Sequence, residues 1–340
     1  MSDHPGIVQR PPSFASMLVD STDRYPNGYP EDQTLLTPSS NWKLNNQNAA
    51  LYGYFTRLAV TQCQFFYNLP TIVPPDTLTS PSSGNDIFYI TQTANDPSGN
   101  PVNPLKVTID TTDGGWFDLE ELAAALETAL NTAAGGTDYT VTYRIQSGSF
   151  LISNVVNNFM ILSPSQSAKV PGVTSAQVTA IARSLTTTGL MTATTATLQT
   201  SVAGSAPTML YTTYVDIVSR YLTKYQRAKD FTTLKNPTKT SILIRVFMTP
   251  PNTTSRPVQT LTADGSGVIT VTTQSPFAQP FTICVDPNQP KFMAWSPDEA
   301  IANFDLQLLD TLGIELPISE STLGYGQQCE YQLTLLASES

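Results

Sequence analysis

Histidine is almost missing from this chain: His4 is the single imidazole in 340 residues. Serine and cysteine hydrolases need an imidazole held by the fold beside the nucleophile, and His4 stands in a tail rich in Pro and Ser, so that chemistry is excluded. Cysteine is scarce as well. Cys63, Cys284 and Cys329 lie far apart, without the paired spacing that builds zinc sites. An odd, dispersed set suits reduced, packed thiols in a reducing compartment. Basic side chains number 17 against 27 acidic ones, for a net charge of −10, whereas coating nucleic acid demands a basic surplus. No run approaches the ~20 apolar residues that cross a bilayer. The first residues do not read as a signal peptide, so the sequon Asn252-Thr253-Thr254 is taken as a chance match in an intracellular product. Glycine forms no phosphate loop, and no EF-hand spacing occurs. No cofactor is expected.

Charge of either sign is sparse, at 13% of residues against roughly 25% in ordinary globular chains. Thr, Ser, Asn and Gln carry the polar share, punctuated by 26 Pro and 18 Gly. With 40% apolar residues the chain can build a large core, as one large or two ordinary domains.

Residues 1–45 read as a proline-rich arm, because Pro5, Pro11, Pro12, Pro26, Pro30 and Pro38 oppose helices and central strands. It is either a frayed terminus or a segment that orders against a neighbouring subunit. From residue 46 to 340 the chain reads as one mainly β domain. The apolar stretch from Leu51 to Tyr67 opens it, and strands are expected at Ile87–Thr91, Leu105–Asp110, Tyr139–Ile145, Phe150–Ser153 and Phe159–Leu162. The turn Gln146–Ser149 makes a hairpin of two of these. Asp118, with Glu121 three residues on, can open a helix in which Leu119, Leu122, Leu126 and Leu130 form one apolar stripe, closed by Gly135-Gly136. A small strand–helix–hairpin element is therefore expected over about 105–162. The Thr-rich stretch at about 164–208, poor in large apolar residues, reads as a surface excursion or exposed edge, with Val178–Leu185 a short helix.

The last 130 residues return to strands: Tyr211–Val218, Ser241–Phe247, Gly267–Thr272, Phe281–Val285, Asn303–Leu308 and Tyr331–Leu335. Turns are marked at Asp264-Gly265 and Asp286-Pro287-Asn288. Phe304, Leu306 and Leu308 face one way, as do Tyr331, Leu333 and Leu335, the alternation of half-buried antiparallel strands. Many short strands, one helix and long loops indicate an antiparallel β-sandwich with Greek-key or jelly-roll connections.

Two sets of charges invite a functional reading. Asp305 and Asp310 flank a strand, and Glu120, Glu121 and Glu127 share the helix, but a glycosidase pair needs a cleft between two carboxyls and the helix acids fit a solvated face; no catalytic residue is assigned. Arg220, Lys224, Arg227, Lys229, Lys235, Lys239 and Arg245 form a positive island in which Asp230 is the only acid. Interleaved with Tyr221, Tyr225 and Phe231, it suits either a solvated face or an electrostatic protein interface. The interface residues assigned are Arg220, Tyr221, Lys224, Tyr225, Arg227 and Lys229.

The segment from Tyr214 to Asp230, followed by Ile244–Phe247, resembles a block in the minor capsid, or penton, proteins of double-jelly-roll DNA viruses, the group of virophages, polinton-like viruses and nucleocytoplasmic large DNA viruses. Pro290–Pro297, Phe304–Asp310 with Gly313 and Leu316-Pro317, and Glu330–Leu335 fit the same order of blocks. The resemblance implies a jelly roll, self-association into homopentamers, and a place at the fivefold vertices of an icosahedral virion beside major and other minor capsid proteins. An internal minor or cement capsid protein is the alternative. From another class stands a carbohydrate-binding or hydrolytic β-sandwich, for which Trp42, Trp116 and Trp295 are too scattered to nominate a site.

Overall fold

The computed structural model describes residues 14–24, 39–45, 51, 53–74, 84–112, 115, 117–226, 241–248, 258–263, 269–274, 280–297, 299–317, 319–320, 326–327 and 329–339. In chain order the first elements are β1 (Phe14–Asp20), β2 (Asn41–Asn45), β3 (Arg57–Tyr67), β4 (Ile87–Thr91) and β5 (Leu105–Thr108). Helix α1 (Leu119–Ala134), β6 (Tyr139–Arg144), β7 (Ser149–Asn154), β8 (Met160–Ile161), α2 (Pro164–Ser167), α3 (Ser175–Thr187) and β9 (Ser201–Ala203) follow. The remainder is β10 (Tyr214–Val218), β11 (Ile242–Phe247), β12 (Val258–Ala263), β13 (Ile269–Gln274), β14 (Phe281–Val285), β15 (Phe292–Ala294), β16 (Asn303–Leu309), β17 (Ser319–Glu320), β18 (Gly326–Gln327) and β19 (Glu330–Ser338).

Two antiparallel sheets make the sandwich. One runs β1-β19-β3-β14, with β15 also paired to β3; the other runs β11-β10-β16-β2. Counting β1, β2, β3, β10, β11, β14, β16 and β19 from one to eight, the first sheet reads one-eight-three-six and the second five-four-seven-two. That order is a jelly roll. Alternation builds the core between the sheets: Tyr331, Leu333, Leu335 and Ala337 of β19 face Phe304, Leu306 and Leu308 of β16 within one buried cluster. Trp42 on β2 donates its indole N–H to the Tyr331 hydroxyl across the core at 2.7 Å, which satisfies both polar groups in an apolar setting.

The arm expected over residues 1–45 is corrected here. β1 and β2 are the first two strands of the roll: Phe14 pairs with Ser338 and Asp20 with Gln332, while Asn41–Asn45 pairs with β16. The prolines punctuate the stretch without entering these strands, and Ala15, Met17 and Val19 turn toward the core. The positions of the six prolines themselves, like the turn at Asp264-Gly265, lie outside the described residues.

Between β3 and β10 the chain leaves the roll and builds an insert with its own buried cluster, running from Ile72 to Met209. Its sheets are β5-β4-β8 and β6-β7-β9. Helix α1 opens as the sequence implies: Asp118 accepts from the backbone N–H groups of Glu120 and Glu121, both at 2.8 Å, and Glu121 returns a bond to the Asp118 N–H. Leu119, Leu122, Leu126 and Leu130 are all buried, and Gly135 closes the helix at φ 70°. The insert is larger than the 105–162 element expected, because β4 and the Thr-rich stretch belong to it. That stretch packs where a surface excursion was expected. Helix α3 is capped by Thr174 and Gln177 and buries Ile181 and Leu185; Thr187 and Thr188 are buried too. Thr188 donates its hydroxyl to the Ser184 carbonyl at 2.8 Å, the local bond that lets a small polar side chain enter a core. Gly189, at φ +72°, lies so close to the returning chain that a Cβ would meet the Ser205 carbonyl oxygen at 2.3 Å. Only β9, with Ser201 and Ala203 exposed, matches the edge expected.

Roll and insert meet at a polar joint. Asn85 accepts from the Val73 N–H at 2.6 Å and donates to the Thr71 carbonyl and the Thr187 hydroxyl. Arg183 of α3 forms a buried ion pair with Asp310, just past β16, and lies 4.7 Å from the Tyr211 ring centroid. Burial raises the Asp310 carboxyl above the ordinary range against the opposing pull of Arg183.

Candidate interaction surfaces: a basic turn and a low-charge sheet face

The basic island begins where β10 ends. Asp305, an outward position on β16, organises the turn that follows: it accepts from the Ser219 hydroxyl at 2.5 Å, the Arg220 N–H at 3.1 Å and the Tyr221 N–H at 2.9 Å. Ser219 in turn accepts from the Leu222 N–H, and Thr223 donates to the Ser219 carbonyl. A β-strand carboxylate thus acts as the cap of a tight turn.

This turn carries Lys224 into a ring of aromatic groups. Its Nζ lies 4.1 Å from the centroid of Tyr221, 5.0 Å from Trp295 and 5.1 Å from Tyr225, and it pairs with Glu299. Tyr221 donates to Glu299 at 3.1 Å, Tyr225 donates to its other oxygen, and the Trp295 indole donates to the Glu299 carbonyl at 2.8 Å. Both tyrosines meet Trp295 edge to face. The bond from Lys224, then that from Tyr225, holds the Glu299 carboxyl below its ordinary range. The Tyr225 phenol is raised chiefly by its bond to that carboxylate.

Of the assigned interface residues, the structure brings Arg220, Tyr221, Lys224 and Tyr225 onto one turn; Arg227 and Lys229 lie outside the described residues, as do Lys235 and Lys239. Two of the described cations are spent within the chain. Lys224 is held by Glu299, and Arg245 forms a two-pronged pair with Asp216, at 2.6 and 2.8 Å, under the Tyr214 ring. Arg220 is exposed. The acids weighed for catalysis have structural places: Asp305 caps the turn, Asp310 holds Arg183, Glu121 caps α1, and Glu127 accepts from the Val141 N–H at 2.9 Å. Trp42 is in the core and Trp295 under the basic turn; Trp116 lies outside the described residues. Sequence reasoning missed Glu299, whose role depends on a partner 75 residues away.

A second surface is the outer face of the β1-β19-β3-β14 sheet. Phe14, Ser16 and Leu18 stand beside Ser338, Leu336 and Thr334, and Gln62 and Gln64 of β3 continue the face. Thr282 and Cys284 of β14 and Phe292 of β15 complete it. Phe14 is 78% exposed, Leu18 58% and Phe292 49%. Charge stands at its ends: Arg57, 5.9 Å from the Phe292 ring, at one, and Asp20 with the Arg24–Glu330 pair at the other. The outward edge of β1 carries none of the Lys, Pro or bulge devices that commonly protect an exposed edge. Among the described residues, no helix is long and apolar enough to cross a membrane.

No family model matches the sequence, and no curated protein matches it either. Among solved structures the chain is similar to the mavirus penton protein, with a TM-score of 0.44 and 12% identity over 97% of this chain and 100% of that one. It is also similar to a chain in the cryo-EM structure of the Sputnik virophage, with a TM-score of 0.38 and 11% identity over 96% and 98% of the two chains.

Proposed function

We propose that this protein is a non-enzymatic capsid component of an icosahedral DNA virus, the penton that forms homopentamers at the fivefold vertices. It would contact major capsid protein and other minor capsid proteins in the virion, after assembly inside the host cell. The observation that carries this reading is the outer face of the β1-β19-β3-β14 sheet: Phe14, Leu18 and Phe292 are exposed there, and the charges of that face stand at its ends. Large apolar side chains left exposed together on one sheet face mark surfaces that are covered in use. The sequence blocks that resemble minor capsid proteins support it from another direction, since they fall on β10, β11, β15, β16 and β19, five elements of the roll itself.

Copies joined head to tail bury two different patches per subunit, and the contact closes into a ring when the rotation allows. Permanent contacts of this type commonly bury roughly 2,000 Å² or more. The test is light scattering on the purified chain. A pentamer supports the proposal, and Leu18→Glu should then shift it toward monomer without changing the thermal midpoint of the monomer. An extended monomer or dimer would favour the internal cement role, and binding or cleavage on a glycan array would favour the carbohydrate reading.

A further inference from the structure

Strand β1 ends one side of the first sheet, while β14 and β15, both paired to β3, end the other. Among the described residues none of these three strands pairs with a further strand. Every pairing across the sheet is antiparallel, so β1 runs opposite to β14 and β15. Neither edge carries the Lys, Pro or bulge that keeps strands from adding to one another. Lys291, just before β15, turns aside to the Ile242 carbonyl at 2.8 Å. Both edges leave inward side chains half-buried against the same core: Ala15 and Met17 on one, Ile283 and Val285 on the other. The two edges also match in shape. Ser16, Leu336, Ala59 and Phe292 form one row across the sheet. At one end of that row the small Ser16 stands between the exposed Phe14 and Leu18; at the other end stands the exposed Phe292. Three strand spacings, about 14 Å, separate these ends within a copy.

We propose that these two edges are the halves of one interface: β1 of one copy adds antiparallel to the β14–β15 edge of a second copy, with Phe292 seated over Ser16 between Phe14 and Leu18. The proposal rests on the pentamer reading and names the two unlike patches that a head-to-tail contact needs. Rotation about a ring axis that lies along the strands shifts nothing along them, so each row meets its own continuation in the next copy. Because strand direction alternates from β1 to β15, that junction is antiparallel as well. Apolar side chains opposite and diagonal across such a seam attract one another, and closure of the ring leaves no edge free to recruit further chains.

Disulfide trapping on the full-length protein, beside light scattering, tests this. Ser16→Cys with Phe292→Cys is made in a Cys284→Ser background, which removes the exposed native thiol. The two new thiols cannot bond within a copy, because a disulfide holds its Cα atoms within roughly 7 Å. Mild oxidation should give a ladder reaching five linked chains on non-reducing gels, whereas either new cysteine alone stops at dimers. Should Phe292→Cys itself prevent assembly, Phe14→Cys with Ala294→Cys, ends of a parallel row through Ser338 and Arg57, takes its place with the same ladder expected. A wild-type chain that stays monomeric in light scattering overturns the pentamer reading and the edge pairing together. A wild-type pentamer in which neither cysteine pair yields the ladder overturns the edge pairing alone.

Discussion

In the roll, Phe14 lies opposite Ser338, and β3 pairs with residues more than two hundred positions away. In the insert, Tyr139–Arg144 turns back on Ser149–Asn154 across four residues, and α1 carries its own caps at both ends. The two regions have cores of similar kind but opposite sequence separation. Local pairings form with little loop-closure cost, while distant ones must wait for most of the chain. The insert is therefore the part that can organise early, and the roll is the part that needs both chain ends.

The sharpest way to break this comparison is truncation. Deleting residues 1–45 removes two of the eight roll strands, and the roll should lose its cooperative unfolding transition in calorimetry while the insert keeps one. Deleting residues 1–13 alone should leave both. If the 1–45 deletion retains the full transition, β1 and β2 are not integral. Next comes the joint. Arg183→Met leaves Asp310 buried without its partner and should cost about 3–5 kcal/mol in denaturant unfolding; adding Asp310→Leu should recover most of that. Trp42→Phe orphans the Tyr331 hydroxyl in the roll core and should cost about 1–3 kcal/mol, confined to the roll transition. Asp118→Ala should cost about 1 kcal/mol, confined to the insert. With no stability change at all, native thiol titration should label Cys284, which is exposed, ahead of the other two. Burial pushes Cys63 and Cys329 up to about 12, where the reactive thiolate is scarce.

What the sequence made legible follows the same division. The Asp118 cap, the leucine stripe and the Gln146–Ser149 hairpin are signals written within a few residues of the structure they specify. The alternation in Asn303–Leu308 and Tyr331–Leu335 also needed no partner to be read. β1 and β2 were hidden because dense prolines on either side dominate the composition, and because the strand that completes each lies at the other end of the chain. The Thr-rich stretch misled for a different reason: apolar content measures transfer from water, whereas Thr187, Thr188 and Gly189 enter the insert by smallness and local hydrogen bonds. At the basic turn, composition located the cations, but only the fold shows that Glu299 and Asp216 neutralise Lys224 and Arg245. A charge count over residues 220–245 therefore overstates the field this surface projects.

The Phe14–Ser338 register has a practical corollary. Both extremities of the roll emerge side by side, a geometry that circular permutation tolerates well. A short tether between them, with new termini opened in the Gln146–Ser149 turn, would yield a rewired protein whose cargo tags sit on the insert and leave the outer sheet face of the sandwich uncovered.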